Sequence, residues 1–453
     1  MAGEASGTRP APAGDARLAD IMRRYAFLIL PSHNRVYADA APALARAELA
    51  VLSAALPDGA ISAESVAETV IGGVPYVTFE RDDMSERDAA LLANLSSLYA
   101  LFEVTGELLR PVELRRLDRF DDDLLTILKY PGKTNEQFTK LLLNVTLASS
   151  AFAGELSSPV AADLGAADIG AAEPAAADLG GRRLAVLDPL CGRGTTLNQA
   201  LMYGFDAYGA DIDARDVEAY AVFIQRWLKD KRLKHRADFS PLRRDRKVVA
   251  RRLTAEFAAT KDEYKAGDVQ RLEVVEADTT RIGEFFRAAS ADLVVADLPY
   301  GVQHGSHGSH GTGRPGGDRA AARGGDPASR RGDQAPRGGG QAPGRVDQAP
   351  RAGDRTAGDG GRTLARSPLD LLRAAAPAWA RALRPGGALG ISWNTHVARR
   401  EDAAAALADA GLEVLDSAAY RAFRHRVDQA ITRDILVARK PQAEATGRPV
   451  AAS

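Results

Sequence analysis

The chain has 453 residues, with 59 basic against 60 acidic side chains, 45% apolar and 26% charged residues; that allows roughly two or three domains around a large buried core. The apolar share excludes a wholly disordered chain, and no run approaches the ~18 consecutive apolar residues of a membrane span. The near-zero balance hides segregation, because 229–252 carries 11 Lys/Arg against three Asp and 301–366 carries 11 Arg against six Asp, which leaves the remainder acidic.

Residues 1–20 are rich in Ala, Gly and Pro and lack an apolar core segment, so they read as a disordered leader and not a signal peptide. From 21 to 115 the pattern predicts a small α+β accessory domain. Its elements are a strand over Tyr25–Leu30, a helix over Ala40–Ala55, a strand over Val74–Phe79 and a second helix over Asp88–Tyr99. A helix over Asn135–Ala151 follows, with Phe138, Leu141, Leu142 and Val145 on one face and Thr134 as its expected N-cap. The tract 153–181 repeats Ala-Ala-Asp-Leu/Ile-Gly three times, and 304–362 repeats Asp-Gln-Ala-Pro-Arg within Gly, Arg, Asp and Pro. The first reads as a flexible insertion from its low complexity, and the second, with almost no large apolar side chains, cannot recover its ordering entropy and reads the same way.

Around these tracts strands and helices alternate. Strands are predicted at Leu184–Leu187, Ala207–Ile212, Leu272–Glu276, Leu293–Ala296 and Ala388–Trp393. Helices are predicted near Thr196–Tyr203, Val217–Lys229 and Leu369–Leu383. Short Val/Ile/Leu/Ala runs between helices indicate an α/β domain with a parallel sheet covered on both faces. Val414–Tyr420 and Ile431–Ala438 are expected to close it as an antiparallel pair, and 441–453 is a tail.

Two motifs lie where strands end. The first strand of the alternation runs into Asp188-Pro-Leu-Cys-Gly-Arg-Gly-Thr-Thr196. Gly192 and Gly194 permit a tight turn and a close approach of backbone to ligand, and the helix start beyond offers free N–H groups. Asp211, 19 residues past Gly192, has the spacing of an acid that holds both hydroxyls of a ribose. The fourth strand ends in Asp297-Leu-Pro-Tyr-Gly301. An acceptor carboxylate, a rigid turn and an aromatic ring at the carboxyl edge of a parallel sheet suit an exocyclic amine on a planar base. Asp297 and the Leu298 carbonyl would accept its two N–H bonds, with Tyr300 stacked on the ring. Such an amine is a poor nucleophile, so holding it in line with an electrophilic methyl supplies most of the catalysis.

With these residues in place the sequence resembles a class I S-adenosylmethionine-dependent amino-methyltransferase, most closely the THUMP-associated tRNA guanosine N2-methyltransferases of the guanosine-10 type. Leu383-Arg-Pro-Gly-Gly387 is similar to the family's lead into its fifth strand, and Tyr130-Pro-Gly-Lys-Thr-Asn-Glu-Gln-Phe-Thr139 to the segment laid over the cofactor. The resemblance covers about 120–440 and implies a Rossmann-like methyltransferase sheet with a terminal antiparallel strand. It places Asp188, Pro189, Gly192, Gly194 and Thr195 around the methionine moiety, Asp211 at the ribose, Asp278 (in Val275-Glu-Ala-Asp278) at the adenine amine, and Thr134 over the cofactor. It assigns catalysis to Asp297, Pro299 and Tyr300. Leu298 stands where the commoner motif has a first proline, and the N-terminal unit is short for a complete THUMP module.

The implied reaction is methylation of the exocyclic amine of a base in RNA, first of all N2 of guanosine in tRNA. The N-terminal domain is then a candidate for binding RNA, and the basic stretch 229–252 for contacting phosphates. Arg424 and His425 are expected at the substrate mouth together with Leu298. DNA adenine-N6 or cytosine-N4 methylation is the first rival and a non-enzymatic RNA-binding scaffold the second. His304, His307 and His310, flanked by Gly and Ser, are expected to bind no metal, and the reaction needs none. Cys191, the single cysteine, is expected to pack beside the cofactor and fits a reducing, cytoplasmic location.

Overall fold

The structure, a computed structural model, describes residues 22–32, 34–56, 59–126, 130, 133–157, 182–300 and 367–442. The leader, most of both predicted insertions with the three histidines of the second, and most of the tail lie outside these residues.

The first five strands form an antiparallel sheet in the order β2-β3-β1-β4-β5: β1 Arg23–Ile29, β2 Ala67–Ile71, β3 Val74–Arg81, β4 Leu98–Thr105 and β5 Leu108–Val112. Helix α1 (Arg35–Ser53) starts five residues earlier than expected, because the Asn34 side chain accepts from the Val36 and Tyr37 amides and caps it there. Asp88–Tyr99 is not one helix. Helix α2 (Glu86–Leu92) is capped by Ser85 and stops, and Leu98–Thr105 becomes the strand beside β1. Its Tyr, Phe, Val and Thr favour a pleated surface once a neighbouring strand is present, and that neighbour is remote in sequence.

After the turn α3 (Asp123–Thr126) comes α4 (Glu136–Ala148), which buries Phe138, Leu141, Leu142 and Val145 as predicted. Its cap is Asn135, whose side chain accepts from the Phe138 amide at 3.1 Å, and not Thr134. The predicted flexible tract begins too early: Ala153–Ser157 forms a 3-10 turn with Leu156 fully buried.

The larger sheet has the order β13-β15-β12-β11-β6-β7-β10-β9-β8, with β14 paired to β15. Its parallel centre is β6 (Ala185–Asp188), β7 (Asp206–Asp211), β10 (Gln270–Glu276), β11 (Ala291–Asp297) and β12 (Leu383–Asn394). Helices α5 (Thr195–Met202), α6 (Ala214–Asp230), α7 (Lys261–Ala266), α8 (Pro368–Ala382) and α9 (Arg400–Asp409) complete the alternation. β13 (Glu413–Leu415), β14 (His425–Arg426) and β15 (Thr432–Arg439) close the sheet antiparallel. This is the expected Rossmann-like sheet with a terminal antiparallel strand, although the strand predicted over Val414–Tyr420 is only three residues long.

One feature of this sheet was not expected. The basic stretch belongs to a long hairpin, β8 (Lys234–Arg244) and β9 (Lys247–Ala258), which extends the sheet past β10. Asp245 and Arg246 sit at φ 50° and 63° in its two-residue turn, the left-handed pair such a hairpin needs.

The two sheets share one hydrophobic cluster, which runs from Phe27, Leu44 and Leu49 through Phe138 and Leu197 to Val437. At Gly390 in β12 an added Cβ would overlap the Thr146 side chain of α4, so glycine sets how closely that helix lies on the sheet.

Candidate active site

Parallel neighbours bring several acids to one edge. Asp188 ends β6 opposite Gly209 of β7, Asp211 ends β7 opposite Glu276 of β10, and Asp297 ends β11 opposite Ser392 of β12. The carboxyl ends of adjacent strands on either side of β6 form the ligand crevice of an open α/β sheet.

The glycine turn is built as the sequence required. Cys191 donates its amide to Ala210 O at 3.0 Å, and Gly192 donates its amide to Asp211 Oδ2 at 2.8 Å, which ties the turn to the end of β7. Gly194 has φ +81°, and a Cβ there would overlap the Tyr220 ring. Gly192 has φ +49°, and its Cβ position faces open space. Cys191 is buried, with its side chain close to Gly209.

Asp211 accepts one backbone amide on each oxygen, from Gly192 and from Asp213 (2.9 Å), which leaves each oxygen a further lone pair. Next to it Ile212 is 68% exposed, an apolar surface that sequence reading passed over. Asp278 is half-buried and caps its own turn, taking both the Thr280 amide and hydroxyl on Oδ1. Pro189 and Thr195 are buried at the turn, and the Tyr130 hydroxyl lies 3.4 Å from Thr195 Oγ1. Arg193 lies over the Tyr130 ring at 4.8 Å and pairs with Asp216 at 2.7 Å.

These acids feel one another. Burial raises the Asp188 carboxyl to about 7; the Leu190 amide and Thr196 hydroxyl act against this, and the charges of Asp211 and Asp297 add to it. Asp211 is raised chiefly by burial, with Asp216 and Asp213 adding. A crevice with this surplus of negative charge is relieved by a cationic ligand.

The Asp297 carboxylate is held by hydroxyls from three separate parts of the chain. Thr134 Oγ1 donates at 2.7 Å and Tyr300 at 2.5 Å to Oδ2, and Ser392 donates to Oδ1. Arg433 donates to the Tyr300 oxygen and stands 3.8 Å from Asp297 Oδ2, with its guanidinium 4.2 Å from the Phe138 ring centroid and 5.0 Å from that of Tyr300. Asn394 donates to the Tyr300 carbonyl at 3.3 Å. Ser392, Asn394 and Arg433 are site residues that sequence reading missed. Their signal was a polar residue at the end of an otherwise apolar strand.

Four expectations need correction or refinement here. Thr134 touches the Asp297 carboxylate, which joins it to the predicted catalytic group. Leu298 turns its side chain into the core at 2% exposure, so only its backbone remains for a substrate, and its amide is already given to Ser392 O at 2.9 Å. Tyr300 folds back onto Asp297 in place of presenting a free ring, while Pro299 is exposed. His425 is buried and lines a cavity of about 750 Å3 together with Thr134, Lys133 and Arg433, whereas the exposed Arg424 lines a neighbouring groove. Among the described residues there is no metal-binding group, and no helix is long and apolar enough to cross a membrane.

No protein-family model matches the chain, and no curated protein does. Among solved structures it is similar to a TehB-like SAM-dependent methyltransferase from Corynebacterium glutamicum, at 14% identity and TM-score 0.26, over 57% of this chain and 81% of that one. It is also similar to TrmN from Thermus thermophilus, at 12% identity and TM-score 0.30, over 83% of this chain and 59% of that one. An rRNA methylase from Streptococcus thermophilus matches at 9% identity and TM-score 0.26, over 57% of this chain and 88% of that one. Likenesses this distant say nothing of the reaction.

Proposed function

We propose that the protein is an S-adenosylmethionine-dependent methyltransferase acting on the exocyclic amine of a base in RNA, with N2 of guanosine in tRNA as the first candidate. The observation that carries this reading is the Asp297 carboxylate, held at the carboxyl end of β11 by Thr134 and Ser392 within charge range of Asp188.

The residues at the glycine turn fit the cofactor. Gly192 leaves open space where a Cβ would stand, Asp211 keeps acceptor capacity on both oxygens for a ribose, and the acidic crevice suits a cation. When bound, the cofactor supplies an electrophilic methyl on a positively charged sulfur. The residues of the chain do the rest. Asp297 accepts a hydrogen bond from the amine in place of the Tyr300 hydroxyl, which frees the Tyr300 ring to stack on the base. This fixes the nitrogen lone pair in line with the methyl. With the methyl passed from the cofactor's sulfur, which would keep the bonding pair, the nitrogen would be tetrahedral and its proton acidic. Asp297 stabilises that charge and passes the proton on to water. A base within a duplex must first be flipped out, at a cost of a few kcal/mol. The basic β8–β9 hairpin is the candidate contact for the phosphates of the RNA.

The expected result for Asp297→Ala is loss of methyl transfer from labelled cofactor to tRNA by at least about 100-fold, with cofactor affinity by calorimetry within a few-fold of wild type. Undiminished transfer would refute the role given to this carboxylate.

A further inference from the structure

The cavity beside Asp297 carries a buried polar atom with no assigned work. His425 is 8% exposed, set 5.3 Å from the Phe138 ring and edge-on to Tyr37 at 6.5 Å. Its Nδ1 lies 2.9 Å from the Phe423 carbonyl oxygen. A carbonyl only accepts, so Nδ1 carries the proton. Burial holds the imidazole neutral, with its pKa pushed down to about 4. Nε2 is therefore a bare lone pair, and among the described residues it has no partner. A buried acceptor left open in this way calls for a donor.

Its position says which donor. His425 stands directly opposite Arg433 in the β14–β15 ladder, and Arg433 lies 3.8 Å from Asp297 Oδ2. His425, Arg433 and Thr134, which donates to Asp297, line the same cavity. A base that entered this cavity and met the carboxylate with its amine would have the next atom of its ring edge on the side of His425. In guanine the amine is flanked by N1, which carries a hydrogen, and by N3, which does not, so the N1 side is the one that can donate to Nε2. In adenine and cytosine the ring nitrogen beside the amine carries a lone pair, which would face the lone pair of Nε2 and leave two acceptors unsatisfied.

We propose that His425 Nε2 accepts a hydrogen bond from the ring N–H beside the target amine, and so makes the pocket selective for guanine over adenine and cytosine. This rests on the methyltransferase reading and adds to it the residue that chooses the base.

The test compares two RNA probes. Labelled methyl transfer to an unmodified tRNA transcript, followed by mass mapping, places the methylated position. The transcript is then rebuilt with 2-aminopurine riboside there, which keeps the amine and lacks the N1–H. Wild type is expected to favour guanosine in kcat/KM by about 10-fold or more, the worth of one hydrogen bond whose loss strands a buried acceptor. His425→Phe, close to histidine in shape, is expected to bring that ratio near one. His425→Gln, whose side-chain carbonyl accepts, is expected to restore most of it. A purely structural role would lower both rates alike and leave the ratio unmoved, and that result overturns the proposal. So does a wild type that methylates both probes equally, or a mapped product on adenine or cytosine. Absence of any transfer to tRNA, with the cofactor bound, refutes tRNA as the substrate on which the proposal rests, a failure distinct from an unmoved ratio.

Discussion

Asp188 shows the cost of building a cation site from buried acids. Its carboxyl is raised from 3.8 to about 7, first by burial and then by Asp211 and Asp297. The unfolded chain loses this proton near pH 4 and the folded chain near pH 7, so between those values the folded state binds more protons. Stability therefore falls as pH rises through that window, by an amount on the order of 4 kcal/mol for a shift of about three units. A bound cation would offset the cost. Asp188→Asn removes the charge and keeps an acceptor oxygen for the Leu190 amide, which donates at 3.0 Å. In the absence of cofactor the variant is expected to melt several degrees above wild type at pH 8, with the two converging near pH 4. Thermal melts across pH check this, and an equal gap at both ends would remove Asp188 from the account of the acidic crevice.

At the scale of elements, the β8–β9 hairpin carries the clearest functional expectation. Arg243, Arg246 and Lys247 cluster at its tip, while Arg244 is tied back to Glu284 and Arg251 and Arg252 pair with Glu218 and Glu273. Replacing Arg243, Arg246 and Lys247 with serine is expected to weaken RNA binding. It should also lower the slope of log affinity against log salt by about 2 to 3, roughly 0.7–0.9 for each phosphate released. Cofactor affinity should not change. Filter binding at several salt concentrations reads the slope, and an unaltered slope would place the RNA elsewhere.

This hairpin also marks where the sequence was hard to read. Its charges dominate the pattern, and its pairing with β10 is invisible to local periodicity. The same holds for Leu98–Thr105, whose first two residues read as the end of a helix until β1 lies beside them. The parallel strands were legible because they are buried on both faces and stand as short apolar runs between helices. In the site, the glycine turn, Asp211 and Asp297 were legible from spacing. Arg433, Ser392 and Asn394 were not, because they reach Asp297 and Tyr300 from strands 94 to 136 residues away in sequence.

Over the whole molecule, the N-terminal unit is part of the site's architecture. Leu30, Asn34 and Tyr37 form one wall of the cavity whose other walls hold Thr134, His425 and Arg433. A buried polar chain fixes this arrangement. The Glu48 carboxylate in α1 accepts from the Ser96 amide at 3.0 Å and from Asn144 Nδ2 of α4 at 2.8 Å, and Asn144 Oδ1 accepts from the Tyr203 hydroxyl at 2.8 Å. Burial raises the Glu48 carboxyl, with Ser96 and Asn144 holding it down. Removing one member strands buried partners, so the network favours a single docking of the two sheets. A substrate entering the cavity therefore meets both units at once.

The most direct measurement incubates the purified chain with cofactor carrying a deuterated methyl group and either unmodified tRNA transcripts or duplex DNA, then digests each to nucleosides for mass spectrometry. The account predicts the heavy methyl on the exocyclic amine of guanosine from tRNA and none on DNA. Heavy methyl on DNA adenine or cytosine, or on neither polymer while the cofactor binds, would contradict it.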